Sequence, residues 1–120
     1  MTVLDASALL AFLRRETGAA AVEAGLAGGI CGAANWSEVA QKVRQAGGDW
    51  SLARELLISY GLRVEPVTEA DGETAATLWK AGSGLSLGDR LCLALGIRLR
   101  QEVLTTDTAW NGLANVTLAR

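Results

Sequence analysis

Thr2-Val3-Leu4-Asp5-Ala6-Ser7-Ala8-Leu9-Leu10-Ala11-Phe12-Leu13 decides how the chain folds. Val3-Leu4 reads as a short buried strand that stops at an acid. An apolar helix follows from near Ser7 to Leu13 and ends in Arg14-Arg15-Glu16. A strand handed at once to a helix opens a βαβ unit, in which strands pair in parallel and helices cover the sheet.

The same alternation continues outward. Gly18 separates the first helix from an Ala-rich, helix-favouring run, Ala19 to Leu26. Gly28-Gly29 stops that run before a strand, Ile30 to Ala34, and Asn35 is expected to cap the next helix. From Trp36 to Ala46, Val39, Ala40, Val43 and Ala46 recur at three- and four-residue steps, while Glu38, Gln41, Lys42 and Gln45 fall off that stripe. After Gly47-Gly48, Asp49 caps a helix from Trp50 to Tyr60 with Leu52, Leu56 and Leu57 on its apolar face. Leu62 to Val67 reads as a strand, and Pro66 places its end at an edge or just outside the ladder. Thr68 caps a helix from about Glu69 to Ala81, and behind Gly82-Ser83-Gly84, Ser86 caps a strongly apolar helix, Leu87 to Leu99. A strand at Val103 to Thr105, a short helical turn at Thr108 to Leu113 and a strand at Val116 to Leu118 complete the series.

The expected fold is therefore α/β: one compact domain over residues 1–120, with a short, mostly parallel central sheet flanked by helices on both faces. With 120 residues, 50% of them hydrophobic, the chain can bury a core without staples. No repeat or linker interrupts it, and the connections are short. Cys31 and Cys92, 61 positions apart, lack C-x-x-C spacing and read as buried reduced thiols. No basic segment precedes the first apolar run, which Asp5 breaks. Neither a signal peptide nor a membrane span is expected, and a cytoplasmic location follows.

Four acids stand at element boundaries. Asp5 and Asp107 close strands, and Glu38 and Asp89 fall in the first turns of predicted helices. In open α/β sheets the carboxyl edge of the strands is where ligands bind. Taken singly, each acid has a structural explanation. Asp5 and Asp107 can cap helices, a role worth about 1 kcal/mol. Ser86-Leu87-Gly88-Asp89 has the spacing of a capping box, and Glu38 suits a helix dipole. Together, at one edge and with no cluster of opposite charge beside them, they repel one another and call for a cation. Glu69, Asp71 and Glu73 are denser in sequence, yet they fan around the opening turn of one helix.

The chain has no histidine, which removes the usual general base and the usual zinc ligand. An all-carboxylate site suits Mg²⁺ or Mn²⁺. The net charge of −2 argues at first sight against a polyanionic partner. Of thirteen acids the quartet takes four, leaving nine against eleven Lys and Arg, a balance of +2 on the remaining surface.

Asp5-Ala6-Ser7 after a short strand, Ser37-Glu38-Val39 in a helix, Leu85-Ser86-Leu87-Gly88-Asp89 and Leu104-Thr105-Thr106-Asp107 together resemble a PIN domain, in order and spacing, over essentially the whole chain. A lone unit of this size is similar to a VapC-type toxin ribonuclease. The resemblance implies an endoribonuclease using Mg²⁺ or Mn²⁺, a homodimer, and inhibition by a cognate VapB-type antitoxin. The expected catalytic residues are Asp5, Glu38, Asp89 and Asp107. Asp5 and Asp107 are assigned as direct metal ligands, with Asp89 joining directly or through water. Glu38 positions the attacking water or helps to hold a second ion, and Ser7 and Thr106 orient the ligands.

Arg14, Arg15, Lys42, Arg44 and Arg90 are candidates to hold RNA phosphates, with a solvated surface as the alternative. A basic antitoxin segment would instead bring an arginine to the carboxylates. Trp36, Trp50, Trp79 and Trp110 read as core or partner contacts, with Trp110 placed to border the cleft because it follows Asp107. A haloacid-dehalogenase-like phosphohydrolase also begins with a strand ending in Asp, but Ser7 stands where its pattern needs a second Asp. A receiver-type phosphoacceptor is a further rival, but no acidic pair precedes Asp5 and no strand-end Lys is placed convincingly. A non-catalytic PIN-like module that binds RNA or protein is the rival of a different class.

Overall fold

The computed structural model describes residues 1–120. In chain order the elements are β1 (Val3–Leu4), α1 (Ala6–Arg14), α2 (Ala19–Leu26), β2 (Ile30–Gly32), α3 (Ala33–Gln45), α4 (Trp50–Ser59), β3 (Arg63–Glu65), α5 (Glu69–Thr77), α6 (Leu87–Leu99), β4 (Val103–Thr105), a 3₁₀ turn (Thr108–Trp110) and β5 (Val116–Leu118). The strands form one sheet in the order β3-β2-β1-β4-β5, and every neighbouring pair is parallel.

This order places β1 at the centre. From it the chain steps to β2 and then β3, after which α5 and α6 carry it back across the sheet to β4, on the other side of β1. The reversal lies between β1 and β4. A crevice outside the carboxyl ends of such a pair is where a doubly wound sheet takes its ligand.

Alternation along the strands divides the core. Val3, Ile30 and Val103 pack with Cys92 and Leu95 of α6 and with Trp110. Leu4, Cys31 and Leu104, one residue further along the same strands, pack with Leu9 and Phe12 of α1, Leu26 of α2, Val39 of α3 and Leu57 of α4. Helices therefore cover both faces, which is why β1 and β4 read as unbroken apolar pairs. α6 lies so close to β4 that a Cβ at Gly96 would stand 2.8 Å from Val103 Cγ2. Both cysteines are buried and free. No helix is long and apolar enough to cross a membrane.

The expected caps at Asp49, Thr68 and Ser86 are present, the last two as full capping boxes with Asp71 and Asp89, and β3 is an edge strand that ends at Glu65, with Pro66 just outside the ladder. Several boundaries differ: β3 is shorter than Leu62 to Val67, the turn after β4 ends at Trp110 short of Leu113, and two helices shift. α3 begins at Ala33, with Gly32 as its extended cap, so Asn35 lies inside the first turn instead of capping it. Ala33 and Ala34 favour helix, and the Asn35 amide is drawn to Gly88 O on α6. α5 ends at Thr77, short of Ala81, because Leu78 and Trp79 donate back to Ala75 O and Ala76 O at 3.2 Å, the tighter three-residue step that closes a helix.

Asp71 lies in the opening turn of α5, as expected, but does more than answer the helix dipole. It is buried, and Arg98 of α6 grips it with Nε at 2.8 Å from Oδ1 and Nη2 at 3.1 Å from Oδ2. Burial alone would raise its pKa. The bonds from Arg98 and from the Thr68 N–H outweigh that and hold it below the usual carboxylate range. Arg98 also reaches Glu65 Oε1 and Pro66 O, each at 3.4 Å, so one guanidinium ties α6 to β3 and α5.

Candidate active site

Asp5 ends β1 and caps α1, with Oδ1 accepting the Ala8 N–H at 2.8 Å. The residue is 4% exposed. Ser7 Oγ donates to Oδ1 and Oδ2 at 2.8 and 3.0 Å, and Thr105 Oγ1 donates to Oδ2 at 2.6 Å. Those hydroxyl oxygens in turn accept backbone N–H groups from the next turn: Thr106 N to Ser7 Oγ at 3.1 Å, and Asp107 N to Thr105 Oγ1 at 3.0 Å. A hydroxyl has one proton, and in each case Asp5 receives it. Two short relays thus lock the turn after β4 onto the turn after β1. Burial pushes the Asp5 pKa from 3.8 up to about 6, against the bonds from Thr105, Ala8 and Ser7, and the nearby charge of Asp89 pushes it the same way as burial.

Asp89 is the third residue of α6 and half-buried. Its Oδ2 accepts the Ser86 N–H at 2.9 Å, which leaves Oδ1 without a protein partner. Asp107 is exposed and caps the 3₁₀ turn, with Oδ1 accepting Ala109 N at 2.9 Å and Oδ2 unpartnered. Glu38 is half-buried and makes no side-chain hydrogen bond or ion pair within the protein. Because α3 starts at Ala33, Glu38 lies in the second turn, past the reach of the helix-dipole explanation. It faces the start of α6: a Cβ at Gly88 would stand 3.7 Å from Glu38 Oε1. The carboxyl edge therefore carries all four acids, Asp5 and Asp107 on adjacent strand ends, Glu38 and Asp89 on facing helices.

The donor chemistry fits a hard divalent cation, since every candidate donor is an oxygen. A cation would also relieve a buried carboxylate that repels its neighbour. In this structure no three of these acids are gathered closely enough to hold one ion between them. Three donors already engage Asp5, with the Ser7 hydroxyl shared between its two oxygens, so Asp89, Asp107 and Glu38 would supply the free oxygens and turn toward it to share an ion.

Thr106 contributes only its backbone N–H, to Ser7. The side chain that reaches Asp5 is that of Thr105, which is fully buried as the last residue of β4. Its signal in the sequence is a buried hydroxyl two residues before Asp107. Asn35, also buried, links α3 to the first turn of α6 through Nδ2 to Gly88 O at 3.3 Å. Among the basic residues, Arg14, Lys42 and Arg44 are exposed at helix ends. Arg15 lies over the Phe12 ring at 5.8 Å. Arg90 is turned to α5, with Nη1 donating to Ala75 O at 2.9 Å. Trp110 does not border the cleft. It is 1% exposed, packed under the sheet against α6, because the 3₁₀ turn folds it back onto Val103 and Ile30. Trp36 and Trp50 meet edge to face on the other side, and Trp79 is exposed.

A family model described as PIN domain matches residues 2–116. Among solved structures, a chain of a toxin-antitoxin complex from Klebsiella pneumoniae aligns with a TM-score of 0.82, covering 100% of this chain and 98% of that one. The two are 20% identical, so the likeness is one of fold. No curated protein matches the sequence.

Proposed function

Because the chain belongs to the PIN-domain family, matched over residues 2–116, we propose that it is a divalent-metal-dependent endoribonuclease that hydrolyses RNA phosphodiester bonds, and the toxin of a type II toxin-antitoxin pair. The observation that carries this reading is the buried Asp5 carboxylate at the topological switch point, hydrogen-bonded on both oxygens and bordered by Asp107, Asp89 and Glu38.

In this reading Asp5, Asp89 and Asp107 hold Mg²⁺ or Mn²⁺. When bound, the ion supplies Lewis acidity, activation of water and charge stabilisation at the phosphate. Ser7 and Thr105 fix the plane of the Asp5 carboxylate. Glu38, free of protein partners, accepts a proton from the attacking water or orients it. Arg14, Arg15 and Lys42 neutralise flanking phosphates. With Arg90 held by α5, that task falls more heavily on the first three.

The similar Klebsiella pneumoniae structure is of a toxin-antitoxin complex, which supports a cognate antitoxin as partner; a VapB type for it and a homodimeric assembly are what the family resemblance implies. A second reading, a non-catalytic module that binds RNA or protein, draws on one observation: the acids do not converge on a single point. Incubating structured RNA with Mn²⁺ or with EDTA separates the two. The nuclease reading expects discrete fragments with Mn²⁺ only, and intact RNA in both lanes favours the module. Sequencing the new 5′ ends after brief expression would name the RNA and the bond.

A further inference from the structure

The reading above leaves Asn35 unused. Its side chain is 2% exposed on α3, one turn before Glu38. Nδ2 donates to Gly88 O at 3.3 Å, while Oδ1 is buried with no partner. Gly88 directly precedes Asp89, and Glu38 Oε1 flanks the same glycine, 3.7 Å from where a Cβ would stand. One backbone unit of α6 is thus held by Asn35 through a hydrogen bond, with Glu38 Oε1 beside the space that a side chain at Gly88 would enter. That unit carries Asp89 as its next residue.

A buried amide with an orphan acceptor is a poor choice for stability, since an apolar side chain of similar volume would leave nothing unpaired. The N-cap position of α3 is Gly32, which has no side chain to cap with, and Asn35 Oδ1 takes up none of the free N–H groups there. What the amide does supply is directional: an apolar residue can fill the gap between α3 and α6, but only a donor fixes which carbonyl of α6 lies opposite it.

We propose that Asn35 is a positioning residue of the acidic site, clamping the first turn of α6 to α3 so that Asp89 and Glu38 face each other at a set separation. The role of those two acids rests on the nuclease reading, whereas the clamp itself does not. Loss of the clamp frees the first turn of α6 to shift relative to Glu38, and the separation of the two acids is then no longer set.

Amide hydrogen exchange on the metal-free protein tests the clamp directly. Asn35→Leu should speed exchange at Asp89 and Arg90, whose N–H groups bond to Ser86, at least tenfold, with α1 and β1 unchanged. Val39→Ala, at a buried apolar position of the same helix, is the control for general destabilisation and should not single out α6. On the metal side, Asn35→Leu should weaken Mn²⁺ binding at least tenfold and lower kcat for RNA cleavage while KM stays within twofold. Asn35→Ser, which keeps a donor on a shorter arm, should recover part of each effect and serves if the leucine variant does not fold. Unchanged exchange at Asp89 and Arg90 in Asn35→Leu overturns the proposal. Faster exchange there, in a protein whose wild type neither binds Mn²⁺ nor cleaves RNA, upholds the clamp and overturns the nuclease reading instead.

Discussion

The Thr105 hydroxyl donates a 2.6 Å hydrogen bond to Oδ2 of Asp5, joining adjacent strands at their carboxyl ends, and accepts the Asp107 N–H at 3.0 Å. Thr105→Val keeps the shape and removes both bonds. It leaves the Asp107 N–H unpaired and Asp5 short of a donor, at a cost of about 1–3 kcal/mol. Mn²⁺ affinity and cleavage should each fall about 10–100-fold, as they do when a ligand loses its supporting bond, and Thr105→Ser should retain most of both. Titration of Mn²⁺ into the two variants checks this.

Asp5 also sets a pH dependence in the metal-free protein. Its pKa is raised from 3.8 to about 6, mainly by burial. Between those values the folded state keeps a proton that the unfolded state has lost. Stability therefore falls as pH rises through that window, by about 3 kcal/mol from this group. Asparagine has no such titration. In EDTA, Asp5→Asn should gain on the wild type in denaturant midpoints as pH climbs from 4 to 7, and a pH-independent difference would contradict the burial account.

Asp71 runs the other way. Arg98 and the Thr68 N–H hold its pKa down despite burial, so its contribution is present above the ordinary carboxylate pKa and fades as pH falls. Arg98→Met strands a carboxylate whose side chain is 4% exposed. Breaking a buried pair costs about 3–5 kcal/mol. The Arg98 side chain is 29% exposed, and solvent screening brings the expected loss to about 2 kcal/mol. Pairing it with Asp71→Asn should restore part of that loss in urea melts.

Most of the fold was legible because it rests on local chemistry. Short apolar strands ending in Asp5 and Asp107, glycine stops, and caps at Asp49, Thr68 and Ser86 all act within a few residues. The misreadings have long-range causes. Asn35 looked like a cap because its true partner, Gly88 O, is 53 positions away. Nearness to Asp107 in sequence suggests a cleft position for Trp110, but the 3₁₀ turn folds it under the sheet. Asp71 passed for a dipole residue because its partner Arg98 lies on another helix. Thr106 drew notice in place of Thr105 because strand alternation, which turns the Thr105 side chain inward, is visible only once β4 has its register.

The most direct measurement compares wild type and Asp5→Asn, at matched purity and melting behaviour, for cleavage of structured RNA in Mn²⁺ and in EDTA. The account predicts discrete fragments from the wild type in Mn²⁺ alone and none from Asp5→Asn in either condition. Cleavage by Asp5→Asn at the wild-type rate would contradict it.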